Sequence, residues 1–250
     1  MKRRVAQLLL SVQAMGWMSG KNSIFNVRNY EKMIACCLFD LDGVIVDTAR
    51  YHYLAWASLA RDLGFEFTPA AGEATKGVSR MASLDIVLRA GGMDERFSPA
   101  EKERLAAEKN ARYLAYVSAM TPAEVLPGAV AFLRDVRAHG VLTVLGSASK
   151  NAGTILDRCE LRPLFDAVVD GTGVSRPKPD PEVFSKGAEA VGVRPENCVV
   201  FEDAAAGIEA AARAGMRSVG VGGSPLLAGA TMQLNGFEGF TFEMLCKEID

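Results

Sequence analysis

The sequence predicts a protein of the α/β class, in which a parallel sheet carries helices on both faces and an inserted helical bundle interrupts the chain. Three observations predict this class. Short apolar runs alternate with stretches of helical periodicity, one connection is far too long for a simple crossover, and that connection is itself helical in pattern. The chain has 250 residues, of which 49% are hydrophobic and 23% charged, so it can bury a sizeable core.

The first predicted strand covers residues 34–39, a continuous apolar run that stops at Asp40, as a strand covered on both faces would. The other strands are predicted at further short apolar runs, at residues 141–145, 167–169, 198–201 and 218–221. Helical stretches such as residues 129–138 lie between these runs. We therefore expect a Rossmann-like core with right-handed crossovers and a binding site at the carboxyl ends of the strands.

The long connection after the first strand predicts an inserted domain, because roughly a hundred residues replace a crossover that needs only about a dozen. We expect a helical cap over residues 49–123 and a Rossmann-like core over residues 33–48 and 124–250. Ser98-Pro99-Ala100-Glu101 predicts a capping box that starts a long helix within the cap. The cap is expected to move as a lid over the strand ends. Residues 1–32 form an extension to which we assign no role.

Charge and composition exclude several function classes. With 28 basic and 30 acidic residues the formal net charge is −2, so we expect neither nucleic acid nor an anionic membrane as a partner. No apolar run reaches the roughly 18 residues that span a bilayer. The 5 cysteines include no CxxC pair and lie mostly in apolar runs, which favours free thiols in a reducing compartment. We expect a cytoplasmic monomer, and with 2 histidines any metal ion must be held by oxygen.

Acidic residues follow two of the predicted strands. Asp40-Leu41-Asp42-Gly43 comes directly after the first strand and leads to Thr48, and Glu202-Asp203 follows the strand at residues 198–201. A turn is the alternative interpretation of the first motif, because Asp-Gly is a common turn pair. The second acidic pair weighs against a simple turn, since parallel strands end at the same edge of a sheet. Carboxylates without a histidine indicate Mg²⁺, bound together with waters and a phosphate oxygen.

These motifs, with Ser147-Ala148-Ser149 after a later strand and Lys178 between two prolines, resemble the haloacid dehalogenase superfamily of phosphoryl-transfer enzymes. The resemblance covers residues 34–222. The segments Lys76-Gly77-Val78-Ser79-Arg80 and Ser147-Ala148-Ser149-Lys150-Asn151 are typical of its beta-phosphoglucomutase-like branch.

The resemblance implies that Asp40 is the nucleophile that forms an aspartyl-phosphate, and that Asp42 is the general acid and base. Asp42 must then have a pKa above its ordinary value. Ser147 and Lys178 are implied to surround the transferring phosphoryl group, whose oxygens carry negative charge. The Mg²⁺ ligands that the resemblance implies are the Asp40 carboxylate, the Asp42 backbone carbonyl and Asp203, with Glu202 binding either directly or through water.

A mutase needs a second anion site, because one phosphate of a sugar bisphosphate lies far from the nucleophile. Arg80 is expected to bind that phosphate bidentately. Core residues expected beside it are Ala148, Ser149, Lys150 and Asn151. The alternative is an incidental arginine and an ordinary polar loop, which is credible for either motif alone. By resemblance, His52 with Lys76 nearby couples cap closure to Asp42, and Thr48 belongs to the same substrate-binding set.

The resemblance thus implies a Mg²⁺-dependent mutase that interconverts beta-D-glucose 1-phosphate and glucose 6-phosphate through a sugar bisphosphate. Cap closure would exclude water, because hydrolysis of the aspartyl-phosphate is the competing reaction. A sugar-phosphate phosphatase of the same fold is the first alternative. A non-catalytic sugar-phosphate-binding module is the second, and the intact set of acidic and basic site residues argues against it.

Overall fold

The computed structural model describes residues 34–75 and 78–249. The strands found there are β1 (Cys36–Phe39), β2 (Leu142–Gly146), β3 (Ala167–Val169), β4 (Cys198–Glu202), β5 (Arg217–Val221) and β6 (Met232–Leu234). They form a 6-stranded sheet in the order β3-β2-β1-β4-β5-β6, and every pair is parallel. The predicted α/β class is confirmed. The sequence pattern missed β6, a 3-residue strand at the sheet edge whose central residue is the exposed Gln233.

β1 lies at the centre of the sheet, as its apolar sequence requires. Its residues are all buried, and it pairs with β2 on one side and with β4 on the other. Phe39 at its end stacks on Phe201 of β4 with ring centroids 4.7 Å apart. The rings of Phe132 and Phe237 pack against this pair. The aromatic cluster fixes the height at which β1 and β4 end, and therefore where the residues that follow them lie.

The insert between β1 and β2 is helical, as its pattern predicts. It consists of α1 (Ala49–Asp62), α2 (Pro69–Glu73), α3 (Arg80–Ala90) and α4 (Pro99–Ser118), followed by a 3₁₀ turn at Pro122–Glu124. The predicted capping box at the start of α4 forms, with Ser98 and Glu101 bonding each other's backbone N–H. These helices share a hydrophobic cluster around Trp56, with Leu59, Leu84 and Leu88.

The remaining helices cover both faces of the sheet. They are α5 (Ala129–Ala138), α6 (Ala152–Arg158), α7 (Glu182–Val191), α8 (Ala205–Arg213) and α9 (Phe242–Glu248). One buried cluster joins α5, α6 and α9 to the sheet, and a second joins α7 and α8 to its other face. α5 begins after Gly128, which has a φ of +79° and where a Cβ would lie 2.4 Å from the Phe237 backbone. Only glycine fits that approach.

The structure bears only in part on the membrane-span and domain-boundary predictions. Within the described part of the chain, no helix has the length and apolar character needed to cross a membrane. The division into a cap over residues 49–123 and a core over residues 33–48 and 124–250 stays a prediction. Residues 1–32 lie outside the described residues.

Candidate active site

The acidic motifs converge where the central strands end. Asp40 follows β1, Glu202 is the last residue of β4 and Asp203 comes next, and the register of β1 with β4 places these ends side by side. A cleft of about 700 Å³ opens above them, between the strand ends and the helices of the insert. Its lining includes most of the predicted site residues, namely Asp40, Asp42, His52, Arg80, Ala148, Ser149, Lys150, Asn151, Lys178, Glu202 and Asp203.

Lys178 is the cation at the centre of the acidic residues. It is buried, and its Nζ donates to Asp40 Oδ1, to Glu202 Oε1 at 2.6 Å and to the Gly146 carbonyl at 3.3 Å. Burial acts to lower the pKa of Lys178, but the charges of Asp40 and Glu202 outweigh it and raise the pKa above its usual value. Lys178 therefore stays charged, and it fixes the orientation of the Asp40 carboxylate.

Asp40 is held at both carboxylate oxygens. Oδ1 accepts from Lys178, and Oδ2 accepts from the backbone N–H of Asp42 at 2.9 Å. Its side chain is 9% exposed, so only a small part faces the cleft. A carboxylate that is both oriented and largely desolvated is suited to attack on an electrophile placed above it.

Asp42 has the proton affinity that acid–base chemistry needs. Burial and the neighbouring Asp40 charge raise the pKa of Asp42 to about 6, although the Thr48 hydroxyl, which donates to its Oδ1, acts to lower it. A carboxyl group with a pKa near 6 can both give and take a proton close to neutral pH. The structure places Thr48 behind Asp42, fully buried, rather than on the cleft surface.

The acidic residues carry more negative charge than Lys178 can neutralise. Burial, together with the charges of Glu202 and Asp40, raises the pKa of Asp203 to about 8, and burial also raises the pKa of Glu202. Asp203 lies against Gly43, whose φ is +83° and where a Cβ would come within 2.0 Å of Asp203 Oδ2. The glycine therefore allows this carboxylate to approach the motif that follows β1.

This charge excess fits a divalent cation, and the donors are the hard oxygens that Mg²⁺ prefers. Among the described residues, no group of three or more His, Cys, Asp or Glu side chains forms a ready-made metal cage. An incomplete set of protein ligands is compatible with Mg²⁺, which keeps several waters and binds through one or two carboxylates plus substrate phosphate. The residues present therefore fit the ion in composition.

A polar loop after β2 forms the far wall of the cleft. The fully buried Ser147 hydroxyl accepts from the Ser149 N–H at 3.1 Å, and the Ser149 hydroxyl accepts from the Asn151 N–H at 3.2 Å. Arg80, the first residue of α3, also lines the cleft and is partly buried, and burial lowers its pKa. The loop and Arg80 therefore add further hydrogen-bond donors to the lining of the cleft.

Sequence reasoning missed Lys109, which lies beside His52. Lys109 on α4 is only 3% exposed, and its Nζ is 2.9 Å from His52 Nδ1 and 4.6 Å from the centre of the Trp56 ring. Burial, with the Arg80 charge, lowers the pKa of Lys109 to about 7, and burial with the Lys109 charge holds the pKa of His52 well below its usual value. Lys76, expected to be the lysine near His52, lies outside the described residues.

A signal for Lys109 exists in the sequence. It falls on the apolar stripe of α4 between Leu105 and Tyr113, four positions away on either side, so it is a lysine on a helix face that is otherwise buried. The next residue, Asn110, joins α4 to the polar loop, because its Oδ1 accepts a hydrogen bond from Asn151 Nδ2 at 3.0 Å.

Comparison with known proteins places the chain in a class. The family model described as haloacid dehalogenase-like hydrolase matches residues 34–215. The chain therefore belongs to the haloacid dehalogenase-like hydrolase family, and the resemblance stated from its motifs is confirmed.

Within that family the chain is similar to beta-phosphoglucomutases. It is 41% identical over 212 residues to the beta-phosphoglucomutase of Bacillus subtilis, covering 84% of this chain and 93% of the relative. The crystal structure of beta-phosphoglucomutase from Clostridium difficile has a TM-score of 0.82 and 40% identity, covering 87% of this chain and 97% of that one. Fructose-1-phosphate phosphatase of Escherichia coli is 35% identical over 195 residues, 77% of this chain and 98% of the relative.

Proposed function

We propose that this protein is a beta-phosphoglucomutase, which interconverts beta-D-glucose 1-phosphate and glucose 6-phosphate through a sugar bisphosphate. The observation that carries the proposal is one cleft whose lining offers two groups of residues suited to binding anions. The first surrounds Asp40 and includes Lys178. The second consists of Arg80 and the polar loop at residues 149–151. A phosphatase of small phosphate esters needs the first group alone, whereas a bisphosphate intermediate occupies both.

In the first step, an oxygen of the Asp40 carboxylate attacks phosphorus of the bound bisphosphate and the bond to the sugar oxygen breaks. Asp42 gives its proton to that leaving oxygen. In the second step, a sugar hydroxyl attacks the phosphorus of the aspartyl-phosphate, Asp42 takes the hydroxyl proton, and the Asp40 carboxylate is released. Splitting the transfer into two steps leaves Asp40 and Asp42 in their starting states.

Lys178 and Ser147 stabilise the charge that spreads over the transferring phosphoryl group. Lys178 is oriented by Glu202 as well as by Asp40, so it does not need to reorganise when the phosphoryl group arrives. Ser147 lies at the carboxyl end of β2, next to β1, with its side chain buried at this edge of the sheet.

Mg²⁺, when bound, neutralises charge on the phosphoryl oxygens and on the attacking carboxylate. We assign it to the Asp40 carboxylate, the Asp42 backbone carbonyl and Asp203, with Glu202 binding either directly or through water. Removal of divalent cations with EDTA is expected to abolish turnover, and addition of Mg²⁺ to restore it. Turnover that persists after exhaustive chelation contradicts the assignment.

The helices over residues 49–123 act as the cap. His52, Arg80 and Lys109 project from three of its elements into the cleft, so binding of an anionic substrate draws cap and strand ends together. Closure excludes water, and the sugar hydroxyl then outcompetes hydrolysis of the aspartyl-phosphate. Arg80 and the polar loop hold the distal phosphate while the near phosphate reacts.

A sugar-phosphate phosphatase is the second candidate, favoured by the similarity to fructose-1-phosphate phosphatase. The two functions separate in one assay, in which the protein, Mg²⁺, beta-glucose 1-phosphate and a trace of glucose 1,6-bisphosphate are incubated together. Glucose 6-phosphate and inorganic phosphate are measured in parallel. The mutase produces glucose 6-phosphate in large excess over phosphate. Phosphate released in amounts equal to the substrate consumed, without glucose 6-phosphate, rejects the mutase.

A further inference from the structure

Tyr113 carries a buried hydroxyl group that the reaction described above does not use. The side chain lies on α4 and is fully buried. It packs with the cluster that joins the sheet to α5, α6 and α9 and not with the cluster around Trp56, so Tyr113 is a point at which the insert meets the strand ends. Its ring lies 4.0 Å from the His52 ring, centre to centre, and the Lys109 Nζ lies 4.8 Å from its centre.

The Tyr113 hydroxyl is next to two other hydroxyl groups. Burial and the Asp42 charge raise the pKa of Tyr113, while the Thr48 and Ser149 side chains beside it act in the opposite direction. Among the described residues, none meets the distance and angle of a hydrogen bond to this hydroxyl, although it is buried. Buried tyrosine hydroxyls usually have a partner, because an unmade hydrogen bond is costly.

The neighbours determine which hydrogen bonds Tyr113 can make. Thr48 uses its only donor on Asp42 Oδ1, so its oxygen can only accept from a further group. The Ser149 oxygen accepts from the Asn151 N–H, and its own O–H donor remains to be placed. A hydroxyl beside both of them can therefore accept from Ser149 and donate to Thr48.

We propose that Tyr113 is a positioning residue whose hydroxyl donates to Thr48 when substrate closes the insert onto the strand ends. The resulting chain of hydroxyls, Ser149 to Tyr113 to Thr48, connects the polar loop to Asp42 and holds the Thr48 hydroxyl directed at the acid–base carboxyl. Substrate binding at the polar loop thereby affects the orientation of the Asp42 carboxyl group, which gives and takes the proton. The proposal rests on the proposed function, because it needs Asp42 to act as acid and base.

Tyr113→Phe tests the proposal sharply, because the variant keeps the ring and removes only the hydroxyl. An idle, unpaired hydroxyl makes this change neutral or stabilising with no effect on turnover. The proposal instead predicts that kcat falls about tenfold, the effect of losing one hydrogen bond. KM changes less than about threefold, and the Tm of the substrate-free protein stays the same or rises. The matched control is Tyr116→Phe, on the same helix and 37% exposed, which should keep wild-type kcat.

A double-mutant cycle with Thr48→Val tests the route of the effect. If Tyr113 acts through Thr48, Tyr113→Phe causes less than a twofold further loss of kcat in the Thr48→Val background, although it costs about tenfold in the wild type. Three results overturn the proposal. They are a kcat of Tyr113→Phe within twofold of wild type, additive losses in the cycle, and a loss of kcat that is matched by a clear fall in Tm.

The failure of this proposal can be told apart from failure of the proposed function. Each variant is assayed for glucose 6-phosphate and for inorganic phosphate. A wild type that releases phosphate without isomerising the sugar rejects the mutase. The effect of Tyr113→Phe is then read from phosphate release, since that reaction also requires Asp42 to protonate a leaving oxygen, and the same thresholds apply.

Discussion

The strand ends below the cleft and the insert helices above it carry opposite charge. Below, the acidic residues surround one cation, and burial with repulsion between carboxylates raises the pKa of Asp42 and Asp203. Above, burial lowers the pKa of Lys109 and Arg80, and repulsion from the Arg80 charge lowers that of Lys109 further. Ionisation is therefore disfavoured for the carboxyl groups below the cleft, and protonation is disfavoured for the basic groups above it.

The difference explains how ligands can order the site. A divalent cation relieves repulsion among the carboxylates at the strand ends, and a phosphate group relieves repulsion among the cations of the insert. Neither side reaches its lowest free energy alone. Binding of a phosphorylated sugar with Mg²⁺ satisfies both sides at once, and this favours closure of the insert over the strand ends.

The strand-end side of the cleft is also held more firmly than the insert side. Asp40 is fixed by Lys178 and by a backbone N–H, whereas the insert side depends on contacts between separate helices, such as Lys109 with His52. Substitutions of Asp40 or Lys178 below the cleft should therefore affect the chemical step or stability, and substitution of Arg80 above it should affect binding of the distal phosphate.

Asp40→Asn is expected to have the largest effect. It removes the nucleophile while keeping the shape of the side chain and one of its two accepting oxygens, so kcat should fall by on the order of 10⁴-fold or more with the fold intact. Turnover and circular dichroism are measured together. The exposed Asp47→Asn in the same motif is the control and should keep wild-type activity. Undiminished turnover by Asp40→Asn refutes the nucleophile assignment.

Lys178→Met is expected to destabilise the strand-end side directly. It leaves Asp40 and Glu202 buried without their cation, and removal of one partner from a buried ion pair typically costs about 3–5 kcal/mol of unfolding free energy. Urea unfolding measures the change. Arg213→Met, whose side chain is 54% exposed and pairs with the similarly exposed Glu209 on α8, should cost less than about 1 kcal/mol. Equal effects of the two variants contradict the contrast between buried and exposed pairs.

Lys109 should make stability depend on pH in a defined direction. Its pKa falls from 10.5 to about 7 on folding, so between these values the unfolded chain binds the extra proton and stability rises with pH. Relative to Lys109→Met, the wild type should gain at most about 4 kcal/mol of unfolding free energy from near pH 7 to near pH 10. Urea unfolding of both proteins at the two pH values gives the difference. A difference that does not change with pH shows that Lys109 is not strained in the folded protein.

The sequence revealed the strand-end side more fully than the insert side, for a physical reason. Asp40 and Asp42 are contiguous with a strand whose burial is visible as an apolar run, and the parallel sheet brings Glu202 to the same edge. The contact between Lys109 and His52 joins residues 57 positions apart on two helices. Their meeting depends on how α1 packs on α4, which periodicity does not determine.

Arg80→Ala is expected to have the smallest effect, and it isolates the insert side. Loss of a charge-assisted pair with the distal phosphate should lower kcat/KM for beta-glucose 1-phosphate by about 10- to 100-fold. Hydrolysis of acetyl phosphate, which has no second anionic group to reach Arg80, should change by less than about threefold. Arg89→Ala, at the exposed end of the same helix, controls for loss of charge on α3. Equal losses on both substrates would mean that Arg80 acts on the strand-end chemistry and not on a distal phosphate, and the contrast between the two sides of the cleft would no longer hold.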